Sequence, residues 1–118
     1  MKIMIVGCGK IGYTIAKTLS AEKDVHVTVI DNNVTVSDYV AETMDVKSIT
    51  GNGLNEKTLI EAGAVQADLI VSVTDADEVN ILCCIVAKHL GTKHPEWNWK
   101  HPILTSREWK SHRTICCA

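Results

Sequence analysis

The chain has 118 residues with 12 basic and 14 acidic side chains, so its formal net charge at pH 7 is −2. A chain of this length forms one domain with a core but leaves little sequence for a separate substrate-binding domain. The balance of charge argues against the basic surface that DNA and RNA binding require.

The chain begins with a strand pattern that changes into a helix pattern. Lys2–Val6 is a short apolar run, which is typical of a parallel strand buried on both faces. A helix is predicted to begin at Lys10, because apolar residues then recur at helical spacing. The side chains expected on its buried face are Ile11, Ile15, Ala16 and Leu19.

The next segment repeats this alternation. Val25–Ile30 is rich in β-branched residues and predicts a second strand. Asp45–Thr50 predicts a short third strand, which ends at the turn Gly51–Gly53. Between them, a second helix is indicated by three apolar residues four positions apart, although β-branched residues lower its helix propensity: Val36, Val40 and Met44.

Two further helices flank the most apolar strand pattern. Asn55 is placed to cap a helix that runs through Ala62, and Gly63 stands where a left-handed C-terminal cap is expected. Ala67–Thr74 predicts a fourth strand. Asp75–Leu90 then predicts a fourth helix, with an inward face made of Val79, Leu82, Cys83, Val86 and Leu90.

The order of these elements predicts the fold. Strands that alternate with helices form βαβ units with parallel pairing and right-handed crossovers. We therefore expect an α/β fold, a doubly wound parallel sheet between two layers of helices, as one domain over residues 1–93. Residues 94–118 are expected to form an atypical tail with all three tryptophans, in which "HPILTSREW" is a candidate edge strand.

Three glycines between the first strand and the first helix have G-x-G-x-x-G spacing: Gly7, Gly9 and Gly12. Alone this motif is weak, because glycines collect at any tight strand-to-helix turn. Here Asp31 also ends the next strand, nineteen residues after Gly12. In Rossmann-like folds the first glycine permits the turn, the second admits a pyrophosphate, and the third brings the helix close to the sheet. The combination predicts a Rossmann-like nucleotide site.

The acidic residue bears on the choice of nucleotide. Asp31 is suited to ribose hydroxyls and would repel a 2′-phosphate, while Asn32 and Asn33 bring no positive charge. We therefore expect NAD(H) rather than NADP(H), and ATP, ADP and AMP remain alternatives because they share the adenosine half. Lys10 is either a point-charge contact to phosphate or a solvated lysine of the first helical turn.

A second polar group follows the fourth strand, at the sheet edge where α/β folds bind ligands. Thr74 and Asp75 are candidates for contacts to ribose or pyrophosphate. The alternative is a capping box, with Asp75 as the cap and Glu78 three residues later. The five histidines lack metal-ligand spacing, so no metal site is expected. No residue is positioned for proton or hydride transfer, so we expect no enzyme, with a fragment of an NAD-dependent oxidoreductase as the alternative.

Cysteine usage and the first residues bear on the compartment. The five cysteines form no C-x-x-C pair, and an odd number without a secretory pattern indicates reduced thiols. "MKIMIVG" leads directly into a strand and lacks a signal-peptide pattern. The apolar run Ile81–Ala87 is too short to span a membrane. We expect a cytoplasmic protein whose thiols are buried or incidental.

Several segments together resemble a known family. "MKIMIVGCGKIGYTIAKTLS", "VTVIDNN" and "ITGNGLNEKTLIEAGAVQADLIVSVTDADEVNILCCIVAKHLGT" are similar to the N-terminal domain of Trk-type potassium-uptake regulatory subunits, also called TrkA-N, KTN or RCK domains. The resemblance covers Met1 to about Lys93. It implies a peripheral cytoplasmic protein that binds NAD(H) or ATP/ADP, forms a homodimer or ring, and controls a membrane potassium transporter without consuming the nucleotide.

The resemblance also implies which residues contact the ligand. After Lys93 the sequence departs from the family pattern, which continues with a fifth strand and an arginine that reaches the nucleotide. For the dimer surface we expect the helix over Asp75–Leu90 and the tryptophans beyond it. By motif, the expected ligand contacts are Gly7, Cys8, Gly9, Lys10, Ile11, Gly12, Asp31, Asn32, Gly51, Asn52, Val73, Thr74 and Asp75.

Overall fold

The structure is a computed structural model that describes residues 1–91 and 114–116. The strands in this part of the chain are β1 Lys2–Val6, β2 His26–Asp31, β3 Lys47–Thr50, β4 Leu69–Ser72 and β5 Thr114–Cys116. The helices are α1 Lys10–Ser20, α2 Val34–Thr43, α3 Glu56–Glu61 and α4 Asp77–Gly91. The strands form a parallel sheet in the order β3-β2-β1-β4-β5.

The central strand β1 determines where a ligand would bind. It pairs with β2 on one side and β4 on the other, so that Val6 lies beside both Ile30 and Ser72. The chain moves outward from β1 to β2 and β3 and then crosses back to β4. The change of direction lies between β1 and β4, and ligands of open α/β sheets bind at such a switch point, beyond the carboxyl ends of the strands.

Alternate residues of β1 belong to two separate cores. Ile3 and Ile5 face α1 and α2, whereas Met4 and Val6 face α3 and α4. The first core contains Ile3, Ile5, Cys8, Ala16, Val27, Val29, Val40, Val71 and Val73. The second contains Met4, Val6, Ile30, Leu59, Ala62, Ala64, Ala67, Ile70, Cys83, Ala87 and Leu90. Each large buried aliphatic side chain stabilises the fold by about 1.5–3 kcal/mol. The predicted three-layer α/β fold is confirmed.

Capping interactions set the ends of the helices on either side of β3. The side chain of Asn33 accepts hydrogen bonds from the backbone nitrogens of Thr35 and Val36, at 2.9 and 3.4 Å, at the start of α2. Asn55 caps α3 by accepting a bond from Thr58 N at 3.2 Å, as predicted. Gly63 follows that helix with φ of +91°, the left-handed conformation expected there.

Two apolar residues that were predicted to face the core, Ile11 and Leu82, are exposed. Ile11 is 57% exposed because α1 meets the sheet through Gly12 and Ala16, whose small size brings the helix axis close. Leu82 is 47% exposed because the buried face of α4 combines the predicted Cys83 and Leu90 with three residues that were not predicted there: Asn80, Cys84 and Ala87. Because the face was predicted from apolar residues alone, the prediction did not include the buried polar residue Asn80.

The start of α4 also differs from the prediction. The helix begins at Asp77, and Asn80 N donates to Ala76 O at 3.1 Å. Asp75 is exposed and lies two residues before the helix, so the capping box with Asp75 as cap is wrong. The physical reason is that Thr74 and Asn80 hold the intervening segment in a separate network, described below.

The cysteines are only partly as expected. Cys8 and Cys83 are free and buried. Cys84 is disulfide-bonded, so the expectation of a reduced thiol is wrong at this position. Sequence spacing gave no indication of this bond, because pairing depends on which cysteines the fold brings close together.

The C-terminal expectations lie largely outside the described residues. These include the candidate edge strand "HPILTSREW" and the three tryptophans. The edge position beside β4 is taken by β5, whose Thr114 pairs with Ile70. Among the described helices, none combines the length and apolar character needed to cross a bilayer.

Candidate functional site

A cavity of about 410 Å³ lies at the carboxyl edge of the sheet, beyond the ends of β1, β2, β3 and β4. Its position is the switch point at which open α/β sheets bind ligands. The structure brings most of the sequence-predicted site residues together around it: Gly7, Gly9, Asp31, Asn32, Gly51, Asn52, Val73, Thr74 and Asp75.

The other predicted site residues belong to the same turn but do not line the cavity. Cys8 is 4% exposed and packs into the core under α1 and α2. Gly12 is buried against the turn. Lys10 and Ile11 are exposed at the beginning of α1. These four therefore shape or flank the cavity rather than form its surface.

Sequence reasoning did not assign some of the lining residues to the site. Val36 and Val79 stand in the first turns of α2 and α4, where their apolar side chains were attributed to helical core faces. Apolar walls of this kind suit a flat heteroaromatic ring. The available signal was position, since each follows a strand end closely. The further lining residues are Val6, Ile30, Asn33, Gly53 and Ala76.

The turn after β1 depends on Gly7. Its φ is +92°, and its nitrogen donates to Ile30 O at 2.8 Å. A Cβ at this position would lie 2.9 Å from both the nitrogen and the Cγ2 of Thr74. The turn after β1 and the segment after β4 therefore approach each other closely, and the absence of a side chain on Gly7 makes this possible.

The two glycines that follow have opposite surroundings. A side chain at Gly12 would collide with the carbonyl oxygen of Gly7, so α1 packs directly on the turn. A Cβ at Gly9 would meet no atom within 4 Å. Gly9 is the N-cap of α1 and lines the cavity, and it brings no side-chain acceptor for the first N–H groups of the helix. Such a helix N-terminus is suited to an anion.

Asp31 connects the turn after β1 to the rest of the edge. One carboxylate oxygen accepts from Cys8 N at 2.8 Å, and the other accepts from Asn33 N at 2.8 Å. Its carbonyl oxygen accepts from Gly51 N at 2.9 Å. Each carboxylate oxygen has more than one acceptor site, so these bonds leave capacity for a ligand hydroxyl.

Asn80 holds the wall opposite the glycine turn. Its Oδ1 accepts from Thr74 N and from Thr74 Oγ1, each at 2.7 Å, and its Nδ2 donates to Thr74 O at 3.1 Å. Ser72 Oγ also donates to Asn80 Oδ1, at 3.2 Å. The sequence analysis gave Asn80 no role.

The charges of the cavity come from two carboxylates. Among the described residues that line it, the titratable side chains are Asp31 and Asp75. Burial, and to a smaller extent the negative charge of Asp31, raise the pKa of Cys8 to about 11. Its sulfur is therefore a protonated thiol near neutral pH, and it is buried rather than lining the cavity.

In residues 1–91 and 114–116, no group of three His, Cys, Asp or Glu side chains is placed to hold a metal ion.

A larger cavity of about 600 Å³ lies at the opposite edge of the sheet. It is lined by residues at the amino ends of the strands, including Lys2, His26 and Lys47. We assign the site to the smaller cavity, because open α/β sheets bind ligands at the carboxyl edge and the glycine turn is there.

The match to protein families agrees with this geometry. Residues 3–97 match the model of the TrkA-N domain. The chain belongs to the TrkA-N family. The resemblance carried by the glycine motif and the segment around Thr74 is thereby confirmed.

Several relatives of this TrkA-N chain are Trk potassium-uptake proteins. A Trk system potassium uptake protein TrkA homolog from Archaeoglobus fulgidus is 40% identical over 107 residues, which is 91% of this chain. TrkA homolog 2 from Methanosarcina mazei is 40% identical over 97 residues, or 82% of the chain. TrkA from Vibrio alginolyticus is 38% identical over 87 residues, or 74%. The matches span 24%, 21% and 19% of these longer proteins, respectively.

Solved structures support the fold of the TrkA-N chain. Saccharopine dehydrogenase (L-Glu forming) from Saccharomyces cerevisiae superposes with a TM-score of 0.66 at 18% identity, covering 76% of this chain and 20% of that one. ChuY, an anaerobillin reductase from Escherichia coli O157:H7, gives 0.63 at 16% identity, covering 94% and 59%. At such low identity the similarity shows the fold alone, which is Rossmann-like.

Proposed function

We propose that this chain is a regulatory nucleotide-binding domain of a potassium-uptake system, which binds NAD(H) and does not consume it. ATP, ADP and AMP are the alternative ligands. The observation that supports this most strongly is the hydrogen bond between Cys8 N and the Asp31 carboxylate. It joins the glycine turn, which would hold phosphate, to the acid that would hold ribose.

The phosphate end of the ligand would lie over Gly9. The space beyond this residue is open, and the first N–H groups of α1 carry a partial positive charge. A hydrogen bond from a backbone N–H to an ionised phosphate is worth about 1.5–3 kcal/mol. The cradle thus fits a pyrophosphate through backbone groups, and Lys10 stands beside it as a candidate counter-charge.

The nucleoside end would lie between Asp31 and the apolar side chains of the two helix starts. Asp31 retains acceptor capacity for the ribose hydroxyls beyond its two backbone bonds. Val36 and Val79 line the same cavity and would contact the faces of the adenine ring. The negative charge of Asp31 would repel the 2′-phosphate of NADP(H), which supports NAD(H) as the ligand.

Binding without turnover is supported by what lines the cavity. Hydride transfer needs a group that gives or takes a proton beside the reacting carbon. The titratable side chains among the described lining residues are Asp31 and Asp75, and the remaining acceptor capacity of Asp31 would be used by the ribose rather than at a reacting carbon. Asp75 is exposed. A regulator needs only unequal affinity of the ligand for two conformations.

The relatives support a proposal for the partner and the location. The proteins named above are Trk system potassium uptake proteins, and this chain is about 40% identical to two of them. We infer a peripheral role at the inner face of the membrane, through a potassium transporter, and assembly as a homodimer or ring. Leu82 and Ile85 are 47% and 37% exposed on α4 and are the surface we assign to the dimer.

Isothermal titration of the purified chain tests the proposal. The ligands are NADH, NAD, ATP, ADP, AMP and NADPH, with nicotinamide mononucleotide as a control that lacks the adenosine half. We expect saturable binding of NADH with one site per chain, weaker binding of NADPH, and no binding of the control. Absence of binding by every adenine nucleotide would overturn the proposal.

A further inference from the structure

A single buried side chain makes several hydrogen bonds to one wall of the cavity. Asn80 is 2% exposed, and it bonds to both backbone polar groups of Thr74 as well as to its hydroxyl. Asparagine suits this arrangement because its amide has both an acceptor and a donor. Aspartate would lack the donor, and leucine, which has the same number of side-chain heavy atoms, would lack both.

The bonded segment belongs to neither neighbouring element. β4 ends at Ser72 and α4 begins at Asp77, so the backbone of Thr74 is outside both the strand ladder and the helix. Buried backbone groups need partners, and here the Asn80 amide supplies them. The conformation of this segment therefore depends on the Asn80 side chain of α4, together with the Thr74 hydroxyl, which lies 3.2 Å from Ala76 O and 3.4 Å from Ala76 N.

The same segment contacts the glycine turn. Thr74 N and Cγ2 would each lie 2.9 Å from a Cβ on Gly7, so the two walls of the cavity touch at this point. Thr74, Asp75 and Ala76 all line the cavity. A shift of Thr74 would therefore change the width of the cavity beside the phosphate cradle.

We propose that Asn80 is a positioning residue of the nucleotide site, which holds residues 74–76 as the wall that contacts the ligand. This inference rests on the proposed function, because it assigns a role within the same site. Through Asn80, contacts made by the nucleotide on this wall are linked to α4, the helix that carries the proposed dimer surface.

The competing explanation is that Asn80 has a purely structural role. A variant of Ser72 distinguishes this role from positioning of the nucleotide site. Ser72 is fully buried on β4 and donates to the same Oδ1 of Asn80 at 3.2 Å. Ser72→Ala removes a buried hydrogen bond of the network and leaves all of the Thr74 bonds in place. It is therefore a matched control for Asn80→Ala, and both variants are expected to lower the melting temperature.

The experiment measures NADH affinity by titration, at a temperature at which circular dichroism shows every variant folded. We expect Asn80→Ala to weaken binding about tenfold or more, because Thr74 loses its partners, and Ser72→Ala to change it by about twofold or less. Hydrogen exchange should become faster at residues 73–76 in Asn80→Ala alone, and NADH should slow it again.

The outcomes are distinguishable from failure of the proposed function. If the unmutated chain binds no nucleotide, the proposed function fails and this inference falls with it. If the unmutated chain binds and Asn80→Ala binds equally well, only the inference is overturned. Asn80→Leu keeps the number of buried side-chain heavy atoms, so it leaves no cavity, and it replaces the alanine variant if that one does not fold. Unfolding of both variants, with Ser72→Ala folded, would assign Asn80 to stability and also overturn the inference.

Discussion

Gly9 is a residue whose substitution should affect ligand binding without affecting folding. A side chain there meets no atom within 4 Å, but it would occupy the space over the N-terminus of α1. We expect Gly9→Val to keep the circular dichroism spectrum of the unmutated chain and to abolish the binding of both NADH and ATP. Gly9→Ala, with a smaller side chain, should give an intermediate loss. Unchanged titrations with the valine variant would remove the phosphate cradle from this turn.

Asp31 has two roles that one substitution removes together. Its carboxylate would accept ribose hydroxyls, and it also holds Cys8 N and Asn33 N at 2.8 Å. We expect the unmutated chain to bind NADH more tightly than NADPH. Asp31→Ala should reduce the ratio of these two affinities, mainly by weakening the binding of NADH. Each charge-assisted bond lost is worth about 1.5–3 kcal/mol.

The control for this prediction is Asn32→Ala, since Asn32 is exposed and lines the cavity beside Asp31. It should leave the preference for NADH in place. Competitive titration of the two cofactors gives the ratio of affinities directly. Tight binding of NADPH by the unmutated chain would contradict the charge argument.

Single residues also mark how far sequence reasoning extends. The position of Asp31 at the end of a strand predicts it as a ligand residue, but its bond to Cys8 N depends on the relative position of two strands. Asn80 shows the larger gap: its partner Thr74 is six residues away across a loop, and neither helical nor strand periodicity predicts that contact.

At the scale of elements, local signals predicted the helices and strands well. Asn55 caps the start of α3 and Gly63 follows its end, both as expected, because helix caps depend on nearby residues. The faces of α1 and α4 were predicted less well. Ile11 is exposed because α1 packs closely on the sheet through Gly12. Leu82 is exposed because the buried polar Asn80 lies on the inward face of α4. These are properties of the assembled layers rather than of each helix.

The cap of α3 gives a prediction that involves stability alone. Asn55→Ala removes the acceptor for Thr58 N and should lower the free energy of unfolding by about 1 kcal/mol. Urea denaturation measures this change. Lys57→Ala, an exposed change on the same helix, is the control and should have little effect. NADH affinity should be unchanged in both variants, because neither residue lines the cavity.

At the scale of the whole molecule, the topology explains why the candidate site lies where it does. The order β3-β2-β1-β4 brings the ends of four strands to one edge, and the residues after each strand meet there. Alternating strand and helix patterns predicted the doubly wound parallel sheet from sequence, but the order of its strands came from the structure. The volume of the cavity and the contact between Gly7 and Thr74 needed the assembled structure.

The last prediction concerns what the molecule does with its nucleotide. Asp31 and Asp75 are the titratable side chains among the described lining residues, and the buried thiol of Cys8 is protonated near neutral pH because burial raises its pKa to about 11. We expect NADH or ATP incubated with the protein to be recovered in full, as followed by absorbance and chromatography. Sedimentation should show a dimer whose stability changes with nucleotide. Steady consumption above that of a matched Gly9→Val sample would instead identify an enzyme.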